Sequence, residues 1–107
     1  MIFSGICLYT KNVRRLSEFY QLVLQTVSDC NDEIHQEIST NGAGLAILKY
    51  DSADVAGNKN MSMAFTVADV DSEYNRLQDA GIEVIEPPTT RFWGARNMMF
   101  LDPDGNH

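Results

Sequence analysis

The sequence predicts an α+β protein made of two βαβββ halves, and three observations predict it. Each half opens with an apolar strand pattern that runs directly into a capped, amphipathic helix pattern. After each helix come short strand-like runs separated by turns rich in Gly, Asn, Asp and Pro. The halves also overlay on one another: Leu8-Tyr9-Thr10-Lys11-Asn12-Val13 lies over Phe65-Thr66-Val67-Ala68-Asp69-Val70 as apolar strand end, helix cap and first apolar helix residue. Such self-similarity marks an internal duplication, in which each copy repeats one supersecondary unit.

In the first half, residues 2–10 (IFSGICLYT) alternate as a strand, with Ile6 and Leu8 on one face and Phe3, Cys7 and Tyr9 on the other. Asn12 is an N-cap, and Val13, Leu16, Phe19, Tyr20, Val23 and Leu24 recur at helical spacing behind it. Residues 26–30 and 33–40 read as strands joined by Asn31-Asp32. Asn41-Gly42-Ala43-Gly44 is a turn, residues 45–50 (LAILKY) a further strand, and residues 51–60 a polar loop.

The second half restarts the pattern. Residues 61–67 (MSMAFTV) read as a strand with Met61, Met63 and Phe65 on its core side. Asp69 caps a helix with the stripe Val70, Tyr74 and Leu77, and Gly81 closes it as a left-handed residue. Residues 82–85 form a short strand that Pro87-Pro88 breaks. Residues 89–93 and 95–101 are two more strands about Gly94, with Met98 and Phe100 in the core. Asp102-Pro103-Asp104-Gly105-Asn106 is a reverse turn. Its two Asp and one Asn lack the later bidentate Glu of a calcium loop.

The chain has 107 residues, 8 Lys+Arg and 15 Asp+Glu, and a net charge of −7. With 44% hydrophobic and 21% charged residues it has the composition of a globular domain. A single domain over residues 1–107 is expected, with module one at 1–50, a linker at 51–60 and module two at 61–107. The acidic balance argues against a nucleic-acid or anionic-membrane partner, since phosphate binding needs clustered cations. No apolar run approaches the roughly 20 residues of a membrane helix. No basic leader with an apolar stretch opens the sequence, and Cys7 and Cys30 make neither a disulfide scaffold nor a CxxC pair. A cytoplasmic setting is expected. His35 and His107 are too few for a His-rich metal site.

These features together resemble the vicinal oxygen chelate superfamily, which groups glyoxalases, bleomycin-resistance proteins and extradiol dioxygenases. The resemblance is carried by residues 8–13, by Glu18-Phe19-Tyr20, by residues 65–71, and most specifically by Trp93-Gly94-Ala95-Arg96 and Phe100-Leu101-Asp102-Pro103-Asp104-Gly105-Asn106. It implies that the modules curl into a cup of mixed sheet with helices outside, and that one more edge strand follows His107. It further implies a left-handed Gly after the Leu that ends the first helix, where this chain has Gln25 after Leu24, so either the helix ends differently or the chain accepts strain of about 1 kcal/mol there. It also implies, in metal-using members, one divalent ion held by His, Gln or Glu from the cup floor. Those positions fall on Gly5, on Ser62, within residues 45–50, which hold no acid or His, and about two residues past His107. A divalent ion needs at least three N or O donors, so no metal and no other cofactor is expected.

The expected ligand-binding residues are therefore Cys7, Tyr9, Ser62, Ala64, Trp93 and Arg96. Cys7 and Tyr9 share the ligand-side face of the first strand with Gly5, and Ala64 and Thr66 match them in the second module. Gly5 opposite Ser62 leaves volume, while Trp93 and Arg96 flank the Gly94 kink as an aromatic plane and a fixed cation. Alternatively, Trp93 packs between modules and Arg96 pairs with Asp102 or Asp104. Cys7 and Cys30 are read as buried structural thiols, since nothing in the sequence would generate a thiolate. His35, with Glu33 and Glu37, is read as lying on a solvated strand face. No catalytic residue is expected. The first function expected is a metal-free, homodimeric binding protein of the bleomycin-resistance type, sequestering a small hydrophobic, aromatic or cationic ligand. A metal-dependent glyoxalase, isomerase or dioxygenase is the alternative, and a cup that serves only subunit contact is a third.

Overall fold

The computed structural model describes residues 1–53 and 60–107. The chain divides into two compact units, Met1–Val55 and Ala56–His107. Most of the loop expected at 51–60 lies outside the described residues. The fold class is α+β: the described residues form two helices, a three-stranded mixed sheet and a two-stranded sheet.

The first unit holds β1 (Gly5–Thr10), α1 (Val13–Leu24), β2 (His35–Ile38) and β3 (Gly44–Lys49). The α1 helix starts where Asn12, in an extended conformation, accepts the Arg15 N–H through its side chain. Its apolar stripe buries Val13, Leu16, Tyr20 and Val23. It ends at Gln25, whose φ of 51° and ψ of 48° place a non-Gly residue in the left-handed region. Of the two outcomes open at this position the chain takes the strained one, and the Gln25 N–H then reaches the Gln21 and Leu22 carbonyls.

The sheet order is β1-β3-β2, with β1 parallel and β2 antiparallel to β3. Parallel pairing of β1 with β3 is possible because the α1 crossover intervenes, whereas the short turn before Gly44 suits an antiparallel hairpin. Alternation sends Leu8, Thr10, Gln36, Ile38, Leu45 and Ile47 to the buried side, and α1 packs there against β2 and β3. The buried Ser17 hydroxyl donates to Gln36 Oε1 at 2.5 Å and accepts from Gln21 Nε2 at 2.9 Å. Gln36 Nε2 donates to the Asp32 carbonyl at 2.8 Å, so this interior polar group is satisfied.

The strand expected at 26–30 is reduced to one bridge, Ser28 to Ile38. Here side chains compete for backbone groups: Ser28 Oγ accepts the Cys30 N–H at 3.4 Å, and Asp29 Oδ1 accepts the Glu37 N–H at 2.9 Å.

The second unit holds α2 (Val70–Asp79), β4 (Val84–Thr90) and β5 (Arg96–Phe100). Asp69 caps α2 by accepting the Asp71 and Ser72 N–H groups, and Gly81 follows the helix at φ 79°. Leu77 is buried, while Val84, Met98 and Phe100 are half-buried. The expected break at Pro87-Pro88 does not occur: β4 runs through both prolines as one strand to Thr90. The irregularity appears instead as register shifts between Val84 and Glu86 and between Glu86 and Thr89. Bulges tolerate residues that cannot donate to a ladder, and so the prolines bend the pairing without ending it.

Residues 61–67 do not form the expected strand. A strand is defined by a ladder, and β4 and β5 pair with each other. The backbone bond along this stretch runs from Met63 N–H to the His107 carbonyl at 3.1 Å. Met61 and Phe65, expected in the core, are exposed, although the Phe65 ring stacks on Phe100 at 6.3 Å. The terminal turn forms as expected: Asp102 is buried and its carboxylate accepts the Asp104 and Asn106 N–H groups, both at 2.9 Å. Gly105 takes φ 84°.

Candidate functional site

The face of the first-unit sheet opposite α1 follows from strand register. Cys7 lies beside Ala46, which lies beside Glu37; Tyr9 lies beside Leu48, which lies beside His35. The outward residues thus form two rows across three strands, with Gly5 and Gly44 at the end of the sheet. Tyr9 is 56% exposed and packs on the 51% exposed Tyr50, their rings 5.1 Å apart and tilted by 51°. This aromatic pair borders an apolar strip of half-buried Ala46 and Leu48. On the far strand stand Glu37 and His35, with His35 Nε2 at 3.9 Å from Glu37 Oε1.

Cys7 is exposed on this face, and so is Cys30 in its loop, which corrects the expectation that both are buried. Alternation assigns Cys7 to the side that α1 leaves open, and Cys30 lies outside any strand with Sγ donating to the His35 carbonyl at 3.6 Å. Partial desolvation pushes the Cys7 thiol pKa above its ordinary value, which disfavours the thiolate.

The acids around the far strand have a different character. Asp29 is held below the ordinary carboxylate range chiefly by the Glu37 N–H it accepts, with further help from Cys30, Ser28 and His35. Asp32 is lowered by the Ile34 and His35 N–H groups.

The other four expected site residues belong to the second unit. Ser62 and Ala64 are exposed in the stretch without a ladder. Trp93 is 63% exposed in the turn between β4 and β5, meeting the 97% exposed Phe92 edge-on at 4.8 Å. Gly94 takes φ 95° there, closing the turn through its N–H bond to the Arg91 carbonyl at 3.0 Å. Arg96 pairs with neither Asp102 nor Asp104. Its guanidinium grips Asp71 in bidentate fashion, Nε at 2.9 Å and Nη2 at 2.7 Å, and reaches Thr90 Oγ1 at 3.0 Å through Nη1. This clamp ties the first turn of α2 to β5, holding the Asp71 pKa down and the Arg96 pKa up. Arg91 takes a second acid, Glu86, and Asn97.

Sequence reasoning missed Tyr50, Leu48, Ala46, Glu37 and His35 as companions of Cys7 and Tyr9. Periodicity gives the face of each strand, but only the pairing register shows which faces coincide.

The residues present do not fit the divalent ion of metal-using relatives. Among the described residues no group of three or more His, Cys, Asp and Glu is placed to hold a metal ion. At Gly5 the backbone itself leaves no room. A Cβ there would stand 2.1 Å from the Gly44 carbonyl oxygen and 2.7 Å from its carbonyl carbon, well inside van der Waals contact.

Known structures share this fold. A glyoxalase/bleomycin resistance protein/dioxygenase from Nocardioides is 22% identical with TM-score 0.82, covering 99% of this chain and 79% of its own. A protein of unknown function from Agrobacterium tumefaciens str. C58 is 26% identical with TM-score 0.81, covering 99% and 89% respectively. A possible glyoxalase from Bacillus cereus is 21% identical with TM-score 0.79, covering 99% and 94%. A search of curated proteins found no match. The family model for the glyoxalase/bleomycin resistance protein/dioxygenase superfamily matches residues 3–107, and the chain belongs to that superfamily.

Proposed function

We propose that this protein is a metal-free small-molecule binder of the bleomycin-resistance type, which sequesters a small hydrophobic, aromatic or cationic ligand in the cup of a homodimer. The observation that carries the reading is the exposed Tyr9–Tyr50 pair beside Cys7 and Leu48, on a sheet face that α1 leaves open. Aromatic rings offer large, rigid contact area for an organic ligand, and here they are solvent-exposed instead of packed in a core. The crowded backbone at Gly5 supports the metal-free part, because the resemblance places there a ligand that metal-using relatives supply from the first strand. Within the second unit, Trp93 and Arg96 offer a further aromatic plane and a fixed cation, Arg96 being oriented by Asp71.

The test is a thermal-shift screen of hydrophobic, cationic and planar compounds, read in parallel by the fluorescence of Trp93, the single tryptophan. A binder at about one hundred times its Kd adds about 2.7 kcal/mol to stability, which moves Tm by several degrees. Light scattering of the same sample reports the dimer. No shift across a broad panel overturns the reading. So does stoichiometric Ni, Zn or Fe in chelator-free protein together with turnover of a hemithioacetal or catechol, which would establish the metal enzyme instead.

A further inference from the structure

We propose that the open face of β1, β3 and β2 selects a planar aromatic cation, with its rings on Tyr9 and Tyr50 and its positive charge toward Glu37. The inference rests on the binding reading above and adds the ligand's charge and the residue that reads it. The outward side chains form two rows, Tyr9, Leu48 and His35 in one and Cys7, Ala46 and Glu37 in the other, so Tyr9 and Glu37 stand at diagonal corners with apolar Leu48 and Ala46 between them. Adjacent strands lie about 4.8 Å apart and each residue advances about 3.4 Å along its strand, so the Tyr9 and Glu37 positions are separated by roughly 12 Å on the diagonal. A fused three-ring system lying along that diagonal on Leu48 and Ala46 bridges most of it, and the two side chains reach over the rest.

The charge on this face has one sign apart from His35. Glu37 is anchored through its backbone, donating its N–H to Asp29 Oδ1 at 2.9 Å and accepting the Asp29 N–H at 3.0 Å. Among the described residues its carboxylate has only a long approach from His35, at 3.9 Å, and its side chain is 65% exposed. Asp29 adds a second negative charge beside it. Neither row contains Lys or Arg. Lys49 lies in register with Thr10, whose side chain is buried toward α1, so alternation turns Lys49 away from the rows. A bound cation therefore meets the Glu37 carboxylate and two tyrosine rings, while an anion meets the same carboxylate as repulsion.

The experiment titrates the full chain, near neutral pH and at low salt, with three planar tricycles of similar size: 9-aminoacridine as the cation, acridone as the neutral probe and anthracene-9-carboxylate as the anion. The expected affinity order is cation, then neutral, then anion. Glu37→Gln should weaken 9-aminoacridine about threefold to fivefold, the scale of an exposed charge pair, and leave acridone unchanged. Tyr50→Ala should weaken both. Near-UV circular dichroism confirms that each variant is folded, and Glu37→Gln, at an exposed side chain, suffices alone. If all three probes bind equally and Glu37→Gln changes nothing, charge selection is overturned while the binding reading stands. If none binds, the inference about planar cations is overturned, and the broad thermal-shift panel separately decides the binding reading.

Discussion

Replacing Gly5 by Ala tests how far the start of the first-unit sheet depends on a missing side chain. The added Cβ would sit 2.1 Å from the Gly44 oxygen, more than 1 Å inside normal contact, and 2.7 Å from both the Gly44 nitrogen and carbonyl carbon. These are backbone atoms, so no rotamer relieves the overlap; β1 and β3 must separate. Separation loosens the first rungs of the ladder, beginning with the Gly44 N–H bond to the Ser4 carbonyl at 2.7 Å. Overpacking costs about 1–3 kcal/mol and a weakened hydrogen bond about 1 kcal/mol, giving a loss of about 2–4 kcal/mol. At roughly 4–8 °C per kcal/mol in a domain of this size, Tm falls on the order of 10–20 °C. Urea and thermal melts by circular dichroism measure it. A larger residue meets the same barrier, so Gly5→His should be destabilised at least as much. A Gly5→Ala variant within about 0.5 kcal/mol of wild type, or a Gly5→His variant as stable as wild type, would refute the reasoning.

Three further outcomes follow from the geometry. Gln25→Gly relieves a left-handed residue at φ 51° and should raise stability by about 0.5–1 kcal/mol, read as an increased urea midpoint at unchanged m. Ser17→Ala removes the donor to the buried Gln36 Oε1 and should cost about 1–3 kcal/mol. Adding Gln36→Leu should cost less than the sum of the single changes, because the stranded acceptor goes with it; strict additivity would show that the two side chains are uncoupled. The clamp on Asp71 makes a signed prediction. Its carboxyl pKa is depressed in the folded state, so the unfolded chain binds more protons, and the contribution is complete above the ordinary carboxylate range. It is lost as pH falls from about 5 through the lowered folded pKa. Asp71→Asn should therefore lower Tm modestly at neutral pH, where the contribution is complete, and flatten the acid limb so that the two profiles converge at low pH; an unaltered acid limb would count against it.

Local features were legible because neighbours in the chain decide them. Asn12 and Asp69 cap their helices through side-chain oxygens two or three residues from the donors, and Gly81 closes α2 at positive φ. The failures are non-local. Pro87 and Pro88 end a strand only if their missing donors are required, and the bulged pairing of β4 with β5 does not require them. Residues 61–67 alternate as a strand should, yet a strand is a property of two segments and no ladder forms along this one. The partner of Arg96 could not be read either. Asp102 and Asp104 are nearer in sequence, but Asp102 spends its carboxylate on its own turn, whereas α2 brings Asp71 to β5 from 25 residues away.

By itself the sequence determined the α+β class, the duplicated strand–helix pattern, both helix starts and the superfamily, since these depend on periodicity, capping and short motifs. It also determined which residues of each strand share a side. Only the tertiary structure decided which sides meet. The parallel register of β1 with β3 and the antiparallel register of β2 with β3 place Tyr9 and Cys7 in line with His35 and Glu37. That alignment turns one expected edge of tyrosine and cysteine into a continuous surface from aromatic to acidic. It arises from backbone hydrogen bonds between separate segments, with β1 and β3 partners such as Gly5 and Gly44 lying 39 positions apart (44 − 5), and no pattern within any one segment encodes it.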